Sequence, residues 1–101
     1  MHFTDLPKPV IQAAQELAQS ARQSGLRLFV FGSFARGDAR PQSDLDLGVE
    51  VVVTHEKTEA CLLRLRDELD RWPSIRPVDL VDFRGVSPEF RNEATRVVLD
   101  L

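Results

Sequence analysis

Apolar residues change period several times along the chain, and each change marks an element. Val10, Ala14, Leu17, Ala18 and Ala21 recur at three- and four-residue spacing with Gln, Glu and Ser between them. That pattern predicts a helix over about 8–24, with Pro9 tolerated in its first turn and Gly25 ending it. Leu28-Phe29-Val30-Phe31 follows without a polar break, as in a strand buried on both faces. It stops at Gly32-Ser33, after which a short helical turn over about 33–38 and a loop from Asp38 to Ser43 containing Pro41 are expected. From Asp44 to Val53 the period is two. Leu45, Leu47, Val49, Val51 and Val53 share one face, and Asp44, Asp46, Gly48, Glu50 and Val52 the other. One face is a core stripe; the other begins with two carboxylates. The sheet should therefore carry its helices on one face and stay polar and accessible at this end of the other.

Cys61, Leu62, Leu65, Leu69 and Trp72 line one side of a helix expected over about 55–71, with His55 at its start and Pro73 stopping it. Asp67 and Arg71 form an i,i+4 pair on its outer face. Pro77 to Phe83 reads as a third strand. Ser87 and Pro88 open a last helix whose stripe is Phe90, Ala94, Val97, Val98 and Leu101. The order is α-β-(α)-β-α-β-α, an α+β fold of the α/β-sandwich kind.

The length, 101 residues, fits a single domain spanning 1–101. One cysteine excludes an intrachain disulfide and a cysteine-based zinc site. No apolar run approaches the ~20 residues that cross a bilayer, and the N-terminus lacks the pattern of a signal peptide. A cytoplasmic protein without membrane attachment is expected. The net charge of −3 gives no reason to expect nucleic-acid binding. Eleven arginines stand against only Lys8 and Lys57, a bias that suits phosphate forks and that high genomic GC content also produces.

Gly32-Ser33 joins a buried strand to a helical turn. That junction can point backbone N–H groups at an anion, with Gly32 letting a phosphate approach and the Ser33 hydroxyl adding a donor. A plain turn capped by Ser33 is the simpler alternative. Asp44 and Asp46 lie two apart on a strand, so they point the same way with Cα atoms roughly 6.5–7 Å apart. Side by side they repel unless a cation holds them, and hard oxygen ligands suit Mg²⁺. A solvated strand end is the bland reading, weakened by five apolar positions on the opposite face. Asp79, between Val78 and Leu80, is expected on the same open face, where three carboxylates converge on a divalent-metal site; Asp82 falls on the other face or in the following loop. Arg36, one turn after Ser33, either neutralises phosphate or fixes the loop by a salt bridge to Asp38 or Asp46. Ser43 orients the loop before Asp44. His2, near a terminus expected to fray, and His55 have no neighbouring ligands.

The stretch Phe31-Gly32-Ser33-Phe34-Ala35-Arg36-Gly37, followed by Ser43-Asp44-Leu45-Asp46-Leu47, resembles the minimal nucleotidyltransferase (MNT) domains of the polymerase-β-like superfamily. The ten residues Phe34 to Ser43 separate Gly-Ser from Asp-x-Asp, as in the family signature, and Val78-Asp79-Leu80-Val81 resembles its third-carboxylate strand. The likeness implies a small mixed sheet with helices packed on one face. It also implies that Asp44, Asp46 and Asp79 hold two Mg²⁺ ions, and that Gly32 and Ser33, with Arg36 and Ser43 beside them, bind the nucleotide. Asp79 would help deprotonate an acceptor hydroxyl that attacks the α-phosphate of ATP.

Proteins of this size in the family resemble antitoxins of HEPN/MNT toxin–antitoxin modules. The resemblance implies a type VII-like antitoxin that transfers AMP to a tyrosine of a partner HEPN ribonuclease, as a hetero-oligomer. The chain has no tyrosine of its own, so a tyrosine acceptor must lie on another protein, and self-labelling would have to use Ser or Thr. The alternative is an MNT-fold binding module that silences its toxin by occupying it. Transfer to a small molecule fits less well without an acceptor domain.

Overall fold

The computed structural model describes residues 1–72 and 76–101; Pro73, which the helix-stop reading used, lies outside them. Helix α1 spans Lys8–Gln23 and buries Val10, Ala14, Leu17, Ala18 and Ala21, the five residues its spacing selects. Its exit bends through Gly25, whose φ of 79° is open only to glycine at little cost. Strand β1 is Leu26–Phe31, α2 is the single turn Ser33–Arg36, and β2 is Leu45–Val51. Helix α3 spans Thr58–Asp70, β3 Val78–Asp82, α4 Pro88–Ala94 and β4 Leu99–Asp100.

The four strands form one sheet in the order β3-β2-β1-β4. β1 runs antiparallel to both β2 and β4, and β2 runs parallel to β3. The sheet is thus mixed, as expected. Its inner face stacks Leu99, Val30, Leu47 and Leu80 in one lateral row. Against this face pack α1 and the Leu62, Leu65 and Leu69 stripe of α3, forming the main core.

Three expectations are corrected. Strand β2 ends at Val51; Val52 and Val53 are 65% and 58% exposed, and both of their N–H groups donate to Gly25 O. The chain bends around that single carbonyl, so the period-two stripe outruns the sheet. Helix α3 starts three residues past His55. His55 instead braces its entry: its N–H donates to Thr58 Oγ1 at 2.9 Å, and its ring Nε2 donates to Ser24 O at 2.8 Å.

The third correction concerns the C-terminal segment. The expected helix through Leu101 stops at Ala94, where Thr95 caps it and Thr95 Oγ1 donates to Arg91 O. No residue of α4 is buried, and Phe90 and Val97 are 41% and 46% exposed. The β-branched pair Val97-Val98 disfavours continued helix. The free edge of β1 offers unpaired backbone groups, and Leu99–Asp100 takes them as β4.

The outer face is not bare. Phe29, Phe31 and Phe83 form a second, smaller core on it, flanked by Val81, Val86, Ala94 and Val98. Phe83 stands edge-on to both partners, with ring centroids 5.0 and 5.4 Å away. Gly48 makes this possible, because a Cβ there would collide with the rings of Phe29 and Phe83. Arg91 seals one side, donating to Glu50 Oε1 at 3.0 Å and Phe83 O at 3.1 Å. The polar, accessible part of the face is what these rings leave uncovered, the end bearing Asp46. Among the described residues, no helix is long and apolar enough to cross a membrane.

Candidate active site

The site lies where β1 hands over to α2, next to the first residues of β2 and β3. Register places its parts. Phe31 is opposite Asp46 across the antiparallel pair, and Asp46 is opposite Asp79 across the parallel pair. Phe31, Asp46 and Asp79 therefore form one lateral row on the outer face. Asp44, one residue before β2, follows the same alternation. Asp82 pairs with Val49 on the inner-face row instead. Its carboxylate caps the turn Phe83–Gly85, accepting from Arg84 N at 3.0 Å and pairing with Arg84 Nη2 at 2.7 Å.

Electrostatics separates the three outer carboxylates. Asp46 is half-buried, and its pKa is raised above the usual 3.8 by burial first and then by the charges of Asp79 and Asp44. Arg36 pulls it back down by less. Asp44 and Asp79 are exposed. Among the described residues, no three of His, Cys, Asp and Glu stand close enough to hold a metal ion. The three carboxylates share the outer face, and Asp46 senses the charges of both Asp79 and Asp44. Their donor type still suits a hard divalent cation.

The turn beside Asp46 depends on Gly32. Its φ of 74° and ψ of −151° lie in a region essentially reserved for glycine. A Cβ there would collide with Asp46 Oδ2, so the backbone passes directly against the carboxylate. Gly32 O accepts from both Ala35 N and Arg36 N at 3.1 Å, and Gly37 closes the turn in the left-handed conformation with φ 92°. The N–H groups of Ser33 and Phe34, at the start of this turn, have no intrahelical acceptor. Arg36 pairs with Asp38 at 3.3 Å, both side chains exposed, which matches the loop-fixing alternative. A cavity of about 290 Å³ opens beside Arg36, lined also by Glu93, Ala94, Arg96 and Val97. Ser43 Oγ accepts from Arg40 N at 2.9 Å and so closes the loop ahead of Asp44.

Two parts of this site have no local signal in the sequence. The N-terminal segment is ordered rather than frayed: His2 caps the turn Phe3–Asp5, and Met1 O accepts from Ala39 N at 3.2 Å. Phe3, Leu6 and Ala39 are buried together with the main core. The second part is Arg76, whose Nη1 donates to Pro41 O at 2.8 Å and to Ser43 O at 3.0 Å. Its guanidinium carbon lies 4.9 Å from the Phe34 ring centroid. Both acceptors are more than thirty residues away in sequence, which is why periodicity is silent about them.

A mixed sheet of this order, carrying Gly-Ser at the end of one strand and Asp-x-Asp at the start of the next, defines a nucleotidyltransferase fold. The family described as "Polymerase beta, Nucleotidyltransferase" matches residues 14–99, and the chain belongs to it. A solved minimal nucleotidyltransferase is 31% identical, with a TM-score of 0.73 over 100% of this chain and 97% of that one. A toxin–antitoxin crystal structure with AMP-PNP shares the fold at 23% identity and TM-score 0.57, over 88% of this chain and 69% of that one. An aspartate-to-glutamate double mutant of the MntA–HpeT toxin–antitoxin pair does so at 21% identity and TM-score 0.53, over 85% and 67%. No curated protein sequence matches the chain.

Proposed function

We propose that this single-domain chain is a cytoplasmic antitoxin. It acts as a protein adenylyltransferase that moves AMP from ATP to a tyrosine hydroxyl of a partner HEPN ribonuclease, silencing it. The observation that carries this reading is the placement of Asp46 beside Asp79 in register, with the Gly32 backbone packed against the Asp46 carboxylate. Two neighbours by fold are toxin–antitoxin structures, one with an ATP analogue. In the other, two aspartates two positions apart are glutamates, the spacing of Asp44 and Asp46 here.

The residues divide the work. Gly32 and the N–H groups of Ser33 and Phe34 receive the phosphates, and Arg36 faces their charge from the next turn. Asp44, Asp46 and Asp79 are the set that would hold two Mg²⁺ ions, which when bound would supply Lewis acidity at the α-phosphate and neutralise the triphosphate. The acceptor oxygen bonds to the α-phosphorus while the bond to the bridging oxygen breaks and pyrophosphate leaves. Asp79, exposed at the rim, takes the hydroxyl proton. Ser43 keeps the loop closed so that Asp44 enters β2 in register.

The second reading is an MNT-fold module that neutralises its toxin by binding alone. One experiment separates the two. The chain is incubated with its toxin, ATP and Mg²⁺, and the toxin's intact mass is measured. AMP-sized additions that vanish in Asp44→Ala/Asp46→Ala support the transferase. An unmodified toxin that the double variant still neutralises supports the binding module.

A further inference from the structure

We propose that Arg76 is a positioning residue of the nucleotidyl-transfer site. It sets Asp44 in place by tying the loop in front of it to β3 and to α2. This rests on the transferase reading above.

One side chain touches the residues next to Asp44 and Ser33. Ser43, whose carbonyl it holds, directly precedes Asp44. Phe34, under its guanidinium, directly follows Ser33 and is itself fully buried. Arg76 stands three residues before Asp79 on the chain that becomes β3.

The need for such a tie follows from where β2 begins. Asp44 lies outside the strand, and the ladder takes hold only at Leu45, whose N–H donates to Pro77 O at 2.9 Å. The residues from Gly37 to Ser43 are held at their start: Gly37 and Asp38 donate to Ser33 O, Asp38 pairs with Arg36, and the Met1 ammonium donates to Gly37 O. Arg40 and Ser43 bond to each other, and Ala39 is bound to Met1. None of these links the loop to β3. Nη1 of Arg76 does, at two carbonyls, while the face of the same guanidinium rests on Phe34. Lysine offers a point charge without the flat face, so it can replace the charge but not the stacking. The hold of Arg76 on Ser43 O reaches Asp44 through the backbone.

Arg76→Ala and Arg76→Lys are compared with the unaltered chain by calorimetric titration with Mg²⁺ plus AMP-PNP, and by amide hydrogen exchange without ligand. The unaltered chain is expected to bind the metal–nucleotide. Arg76→Ala is expected to weaken that binding about tenfold and to speed exchange at Asp44 and Leu45 more than at Phe29 and Val30. Arg76→Lys is expected to fall between. Supplying guanidinium ion at low millimolar concentration is expected to recover part of the loss in Arg76→Ala and to leave the unaltered chain unchanged. Equal affinity in the chain and both variants overturns the positioning role, as does exchange that quickens uniformly through the sheet. A chain that binds no metal–nucleotide at all overturns the transferase reading itself. If Arg76→Ala does not fold, Arg76→Lys carries the same comparison.

Discussion

Gly32 and Asp46 occupy one another's space: the carboxylate oxygen Oδ2 of Asp46 sits where a side chain at Gly32 would begin. The strand-to-helix turn and the central carboxylate are therefore a single piece of architecture. The glycine supplies the backbone angles of the turn and also the room the carboxylate needs.

Gly32→Ala meets both restrictions. It forces a side chain into a glycine-only region, which costs about 1–3 kcal/mol, and pushes the Asp46 carboxylate away. Chemical denaturation should show a loss of that size, and AMP transfer should fall below detection. A variant of unchanged stability and activity would contradict the geometry.

Asp46→Asn should stabilise the protein at neutral pH while abolishing transfer. Burial, Asp79 and Asp44 raise the folded-state pKa of Asp46 above 3.8, so the folded chain holds this proton more tightly than the unfolded chain does. Stability is then lost as pH rises from the unfolded value through the raised one, and the full penalty is present at pH 7. Scanning calorimetry in EDTA should give a higher midpoint for the variant at pH 7 and no gain below about pH 3, where both states are protonated. The opposite order would show that the carboxylate is favourably placed.

Asp79 and Asp82 should behave oppositely although both lie on β3. Asp79→Ala is expected to reduce transfer by ~100-fold or more with little change in stability, because its side chain is exposed in the outer row. Asp82→Ala should keep its activity and lose about 1 kcal/mol, the worth of the cap it forms on the following turn. Intact-mass kinetics and denaturant melts on the two variants provide the comparison.

Gly48→Ala tests the second core. The added methyl would meet the rings of Phe29 and Phe83, an overpacking expected to cost about 1–3 kcal/mol. Urea unfolding should register it. Near-UV dichroism should change too, since the aromatic cluster must shift to make room.

Much of this protein is written in local periods. The spacing of Val10, Ala14, Leu17, Ala18 and Ala21 selects the buried face of α1 residue by residue. The alternation through β2 sorts Leu45, Leu47 and Val49 inward and Asp46 outward, and the same rule applied to Val78 and Leu80 sends Asp79 to the face of Asp46 and Asp82 to the other. A side chain's direction within an element is set by its own backbone, so a single chain segment suffices to read it.

Tertiary structure decided what depends on residues far apart in the sequence. The tail of the expected last helix became β4 because β1 had an open edge, and no property of residues 95–101 announces that edge. Phe29 and Phe31 became a second core on the outer face because Phe83 and Gly48 arrived against them. Arg76 found Pro41 and Ser43 across a fold that had first to bring β3 alongside β2. The raised pKa of Asp46 was settled there too, since it comes from burial and from charges that the fold brings alongside.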